Sequence, residues 1–92
     1  MKIVWSAKSV SEIGDHVAFI AQDNEKAARK WADALFRRVE AILVFPEIGK
    51  YSSRGGASGI REIIIDSDFL ITYKVRKREI AILAFIHVAQ KR

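Results

Sequence analysis

Residues 60–87 read IREIIIDSDFLITYKVRKREIAILAFIH, and this stretch decides the fold. Its side chains follow a period of two, which predicts half-buried or buried β-strands. Two short interruptions, at 66–68 and at 77–78, have the length of tight turns. We therefore predict three consecutive strands over 60–65, 69–76 and 79–87, joined as an antiparallel meander.

The alternation also assigns side chains to the two faces of this sheet. In the middle strand, one face carries four apolar or aromatic residues: Phe69, Ile71, Tyr73 and Val75. In the last strand, the same rule separates Ile80, Ile82, Ala84 and Ile86 from Ala81, Leu83, Phe85 and His87. Because two of the strands are nearly apolar on both faces, we expect the sheet to be covered on both sides.

The residues before the meander predict a short strand at 2–5 and two helices. The first helix begins at Ser6 or Ser9 and carries an apolar stripe at helical spacing: Val10, Ile13, Val17 and Ile20. The second runs from Glu25 to about Phe45 and is ended by Pro46. Its stripe consists of Ala28, Trp31, Leu35, Val39 and Ile42.

These elements predict an α+β domain in the order β-α-α-β-β-β. The helices are joined by a short connection, so they form an antiparallel hairpin. The hairpin packs on a small, mainly antiparallel sheet. At 92 residues the chain has room for one domain, residues 1–92. We interpret the glycine-rich patch at 48–59 as a flexible connection, because it lacks the lysine and Ser/Thr of a phosphate loop.

Composition excludes several classes of protein. Half of the residues are hydrophobic, which excludes a disordered tail, and the absence of cysteine excludes a disulfide scaffold. No apolar run is long enough to span a membrane, and the first residues lack a signal peptide pattern. We expect a cytoplasmic protein with no membrane partner.

His16 and His87 lack the spacing of metal ligands, so we expect no metal and no cofactor. We interpret His16, which lies off the apolar stripe, as a surface residue.

The positive charge is concentrated at the end of the chain. The net charge is +5, and residues 74–92 alone hold six Lys or Arg against the single acid Glu79. A basic end of this kind indicates an anionic partner, either nucleic acid or an acidic protein. The run Arg76, Lys77 and Arg78 occupies a turn where Asp, Asn or Gly is usual, which favours a binding role.

An ordered set of short motifs resembles the RelE/ParE superfamily, the toxins of bacterial type II toxin–antitoxin systems. The motifs extend over nearly the whole chain, in the order Trp5-Ser6-Ala7-Lys8, Ala27-Ala28, Leu43, Pro46, Gly49-Lys50, Gly59-Ile60-Arg61-Glu62, Tyr73-Lys74-Val75, Ile80-Ala81-Ile82-Leu83 and His87. The resemblance implies the same α+β fold. It also implies a cognate antitoxin as a partner, with operator DNA reached only through that antitoxin.

The superfamily carries two activities on one scaffold, so the fold alone cannot select between them. The resemblance implies either ParE-like inhibition of DNA gyrase or RelE-like cleavage of mRNA on the ribosome. Leu70 stands where the ribonuclease branch has an arginine, which favours the ParE-like branch. A ribonuclease would have to use His87 with a cation such as Arg61, yet the predicted register places these two on the order of 15–20 Å apart. A degenerate toxin that only binds its antitoxin is a further alternative.

The candidate residues for contact with the target or antitoxin are basic or polar and lie in the second half of the chain. They are Arg54, Arg61, Lys74, Arg76, Lys77, Arg78, His87, Gln90, Lys91 and Arg92.

Overall fold

The computed structural model describes residues 1–53 and 58–88. Its elements follow in the order β1 (Lys2–Trp5), α1 (Ala7–Asp23), α2 (Glu25–Val44), β2 (Lys50–Tyr51), β3 (Ile60–Asp66), β4 (Phe69–Val75) and β5 (Glu79–His87). The predicted α+β class and the order of its elements are confirmed. The prediction missed one element, the two-residue strand β2, within the patch interpreted as a connection.

The five strands form one sheet in the order β1-β5-β4-β3-β2. β1 is parallel to β5 and all other neighbours are antiparallel, as the prediction of a mainly antiparallel sheet requires. The tight turns set the register, in which Arg61 pairs with Tyr73 and Phe69 pairs with His87. Ser67 and Asp68 form the first turn, where the Asp66 side chain accepts the Asp68 N–H at 2.9 Å.

Side-chain caps begin both helices. Ser6 caps α1, because its hydroxyl accepts the Ser9 N–H at 3.0 Å. Ser9, the alternative cap, is fully buried one turn later and donates its hydroxyl to the Ser6 carbonyl. Asn24 caps α2 through the Ala27 N–H. α2 ends at Val44, two residues before Pro46, as the proline predicts.

The core lies between the helical hairpin and one face of the sheet. Its fully buried residues come from α2, β4 and β5: Leu35, Val39, Ile42, Ile71, Tyr73, Ile80 and Ile82. Each large apolar side chain buried here stabilises the fold by roughly 1.5–3 kcal/mol. The apolar stripe predicted for α2 therefore does face the sheet.

The predicted alternation in the last strand is wrong beyond Leu83. Thr72 pairs with Ala84, but the next residue, Tyr73, pairs with Ile82, so Leu83 is the extra residue of a β-bulge. The Ser6 hydroxyl donates to the Leu83 carbonyl at 2.8 Å and ties the bulge to the start of α1. After the bulge, Phe85 and His87 lie on the helix side of the sheet, the same side as Ile80 and Ile82 before it.

Tyr73 connects the sheet to the segment that follows α2. Its side chain is fully buried, and its hydroxyl donates to the Pro46 carbonyl at 2.9 Å and accepts the Gly49 N–H at 2.8 Å. A Cβ on Gly49 would lie 2.6 Å from that hydroxyl and 2.7 Å from the Glu62 carbonyl oxygen. Residue 49 therefore has to be glycine for the segment to approach the sheet this closely.

We expect Tyr73→Phe to lower the free energy of unfolding by about 1–3 kcal/mol, because it leaves the Gly49 N–H and the Pro46 carbonyl without their partner. Urea denaturation measures the change. Tyr51→Phe is the matched control. Because Tyr51 is 60% exposed, this substitution should leave the free energy of unfolding almost unchanged. Equal unfolding free energies for the two variants would contradict this role of Tyr73.

Candidate functional site

Arg61 is held within the fold by neighbours on the α2–β2 connection. Its Nη1 donates to the Gly49 carbonyl at 2.7 Å and to the Glu47 carbonyl at 3.4 Å. Its guanidinium carbon lies 4.1 Å from the centroid of the Tyr51 ring, a cation–π contact. These contacts stabilise the same segment that Tyr73 anchors, which gives Arg61 a structural role.

Lys74 follows Tyr73 on β4 and pairs with Ile60 and Ala81. It lines an open cleft of about 400 Å³ together with Arg61, Tyr51 and Glu47. The side chains that line the cleft therefore include two cations, of which the Arg61 guanidinium already donates to the carbonyl groups of Gly49 and Glu47.

The basic turn, which we define as Arg76, Lys77 and Arg78, is exposed at the β4–β5 end of the sheet. Two backbone hydrogen bonds fix its main chain. The Arg76 N–H donates to the Glu79 carbonyl at 2.8 Å, and the Arg78 carbonyl accepts the Lys2 N–H at 3.3 Å. Among the residues that the structure describes, the salt bridge of this turn joins Arg76 to Glu79 at 3.6 Å, and it is exposed to solvent. The turn thus presents positive charge on an ordered backbone.

His87 lies at the opposite end of the sheet from the basic turn. It pairs with Phe69, and the two rings stack with centroids 4.5 Å apart. Arg61 pairs with Tyr73, four residues from Phe69 along β4, and lies two strands from β5. A rise of about 3.3 Å per residue and about 4.8 Å between strands put the two backbone positions about 16 Å apart in this register, which is too far for both residues to hold one phosphate.

The interpretation of His16 as a surface residue is wrong. Its ring is half-buried and lies 4.3 Å from the Phe69 ring and 4.6 Å from the Trp31 ring, measured between centroids. Burial lowers the pKa of His16; the nearby Asp66 carboxylate opposes this effect, and His87 adds to it. His16 lies three residues after Ile13, and residues three apart share one face of a helix. Since Ile13 is buried, this spacing is the sequence signal that places His16 toward the core.

The sheet face away from the helices is also largely apolar. Leu70 is 4% exposed there, between Ile64 on β3 and Ile86 on β5. An open cleft of about 310 Å³ runs over this face, lined by Lys8, Ser52, Ile60, Thr72, Leu83, Ala84 and Ile86. The position that the ribonuclease branch gives to arginine is therefore a buried leucine on an apolar face.

Four candidate residues, Arg54, Gln90, Lys91 and Arg92, lie outside the described residues. Within 1–53 and 58–88, no group of three or more acidic or histidine side chains is placed to hold a metal ion. No helix in that part of the chain is long and apolar enough to cross a membrane.

We expect the stability of the protein to fall as the pH drops below about 6.5, the ordinary pKa of histidine. Because the folded state lowers the pKa of His16, the unfolded chain takes up a proton first, and this contribution to stability is lost as the pH falls through the folded pKa. Urea denaturation at pH 7.5 and pH 5 measures the difference. His16→Gln should reduce this difference in the free energy of unfolding. An unchanged difference in the variant would contradict the assignment of the pH dependence to His16.

Comparisons with known proteins agree with the fold described above. A family model described as the ParE toxin of the type II toxin–antitoxin system parDE matches residues 3–92. A solved chain from the chromosomal ParDE toxin–antitoxin system of P. aeruginosa superimposes with a TM-score of 0.78 at 18% sequence identity, covering 96% of each chain. At that identity the superposition shows a shared fold. A comparison with curated protein sequences found no match.

Proposed function

Because the chain belongs to the ParE toxin family of type II toxin–antitoxin systems, we propose that it inhibits growth by binding DNA gyrase and trapping the cleaved DNA complex. A cognate antitoxin holds it inactive. The family match supports the toxin role and the antitoxin partner. The choice of gyrase comes from the resemblance to the ParE-like branch and from the geometry of the second half of the chain.

The observation that carries the proposal is the separation of the groups that RNA cleavage would need. Attack by a 2′-hydroxyl requires an activating base, a cation at the phosphorane and an acid or cation at the leaving oxygen, all around one phosphate. Arg61 is bonded to backbone carbonyls about 16 Å from His87, and Leu70 is apolar and buried. This arrangement supports binding as the mode of action over phosphodiester cleavage.

The basic turn is the surface that we assign to the gyrase–DNA complex. Its three cations are exposed on a fixed backbone, so binding would cost little ordering of the main chain. Exposed cations attract DNA phosphates and acidic protein surfaces over about a Debye length.

The apolar sheet face is the surface that we assign to the antitoxin. Ile64 and Val4 are 53% and 37% exposed on this face, beside their buried strand neighbours Leu70 and Ala81. A helical or extended antitoxin segment with apolar anchors would cover these side chains, and its acidic residues would meet the chain's net charge of +5. Operator DNA would then be contacted through the antitoxin alone.

A supercoiling assay with purified gyrase tests the proposal. The chain, made by cell-free synthesis, is added to gyrase, relaxed plasmid and ATP. We expect supercoiling to be inhibited and linear DNA to accumulate after protease treatment, because the cleaved complex is trapped. Normal supercoiling in the presence of folded chain would contradict gyrase as the target.

We predict that replacing all three cations of the basic turn, as R76S/K77S/R78S, weakens gyrase inhibition on the order of tenfold. The melting temperature should change little, because the pair of Arg76 with Glu79 is exposed and such pairs contribute at most about 1 kcal/mol. The variant K26S/R29S/K30S removes the same charge from exposed positions of α2 and serves as the matched control. Equal effects of the two triple variants would contradict a role for the turn.

We predict that His87→Ala retains at least part of the toxicity, because a gyrase inhibitor needs no proton transfer at this residue. His87→Phe, which keeps a ring stacked on Phe69, controls for lost packing. Growth after induction and the circular dichroism of each variant are the measurements. Complete loss of toxicity in both variants, with intact folds, would contradict the prediction and point to the ribonuclease.

A further inference from the structure

A cleft of about 480 Å³ opens between α1 and the end of the sheet that carries His87. We propose that this cleft binds an arginine side chain of a protein partner. Its lining comes from α1 and from the ends of β4 and β5: Glu12, Asp15, His16, Phe19, Phe69, Phe85 and His87. The inference goes beyond the proposed function, because it depends on neither gyrase nor the basic turn.

Aromatic rings form the walls of the cleft. Phe69 stacks on Phe85 with the ring planes 6° apart and the centroids separated by 4.8 Å. His16 and His87 add two more rings against Phe69, at 4.3 Å and 4.5 Å. Phe19 is 67% exposed at the edge of the cleft, although it is a large apolar residue on a helix. Phe85 is buried, and Phe69 already has Phe85 and His87 stacked on it, so Phe19 is the ring that offers an open face at this cleft for a planar guanidinium.

The charge of the cleft is opposite to that of the chain. Asp15 is exposed and makes no ion pair with any residue that the structure describes. Glu12 adds a second carboxylate, although one of its oxygens accepts the Phe85 N–H and the other pairs with Lys8. The lowered pKa of His16 keeps that ring neutral near pH 7, so it does not offset the two acids. The cleft is therefore negative on a chain of net charge +5.

Aromatic rings beside carboxylates favour one class of ligand, a side chain that is both planar and positively charged. Phosphates and carboxylates would be repelled by Glu12 and Asp15, which excludes nucleic acid and acidic peptides from the cleft. An apolar side chain would cover the carboxylates and leave them without water. Arginine satisfies both features, because its guanidinium stacks on rings while it donates to a carboxylate. Lysine, a compact and strongly hydrated charge, fits the rings less well.

A titration monitored by NMR tests the assignment, with N-acetyl-arginine methylamide as the probe and the whole chain labelled with carbon-13 and nitrogen-15. We expect saturable shifts in the resonances of His16, Phe19 and Phe69. The corresponding citrulline derivative has the same shape without the charge, and it should bind more weakly. Inorganic phosphate should leave these resonances unchanged.

Two variants locate the site. Asp15→Asn should weaken binding of the arginine probe about threefold, as expected for an exposed charge pair. Asp33→Asn removes a similar exposed carboxylate from α2, outside the cleft, and should have no effect. The proposal would be overturned by absent or unsaturable shifts, by equal binding of citrulline, or by equal effects of the two variants.

Discussion

The hydroxyl of Tyr73 is the contact on which the arrangement of this domain depends. It joins β4, at the centre of the sheet, to Pro46 and Gly49, where the chain leaves the helical hairpin and returns as a strand. Arg61 binds the same segment from β3 through the Gly49 carbonyl. α2 buries Leu35, Val39 and Ile42 in the core shared with the sheet. One buried hydroxyl thus ties the segment that follows the helical half to the centre of the strand half.

Most of the fold could be predicted from local patterns, because helices and strands have different hydrophobic periods and the turns are short. The same short turns predicted the register, and with it the separation of Arg61 from His87. The bulge at Leu83 was missed because a contact between distant parts of the chain stabilises it. Ser6 bonds the Leu83 carbonyl from 77 residues away, and no local pattern encodes such a bond.

The missed bulge also explains why the sequence did not predict the cleft between α1 and the end of the sheet that carries His87. Strict alternation separates Phe85 and His87 from Ile80 and Ile82, whereas the bulge brings all four to the helix side. There His87 and His16, which was wrongly interpreted as a surface residue, both pack against the Phe69 ring. The domain consequently has two ends of opposite character, a basic turn at one end of the sheet and an acidic, ring-lined cleft at the other. We propose that both ends are binding surfaces.

Whether the chain acts by binding gyrase is most directly tested in growing bacteria. Expression is induced, and the incorporation of labelled thymidine and of labelled leucine is compared over the first minutes. A gyrase inhibitor lowers thymidine incorporation first, while leucine incorporation continues, and this is the result that we predict. An earlier fall in leucine incorporation would contradict the proposal, because it would show that translation is the primary target.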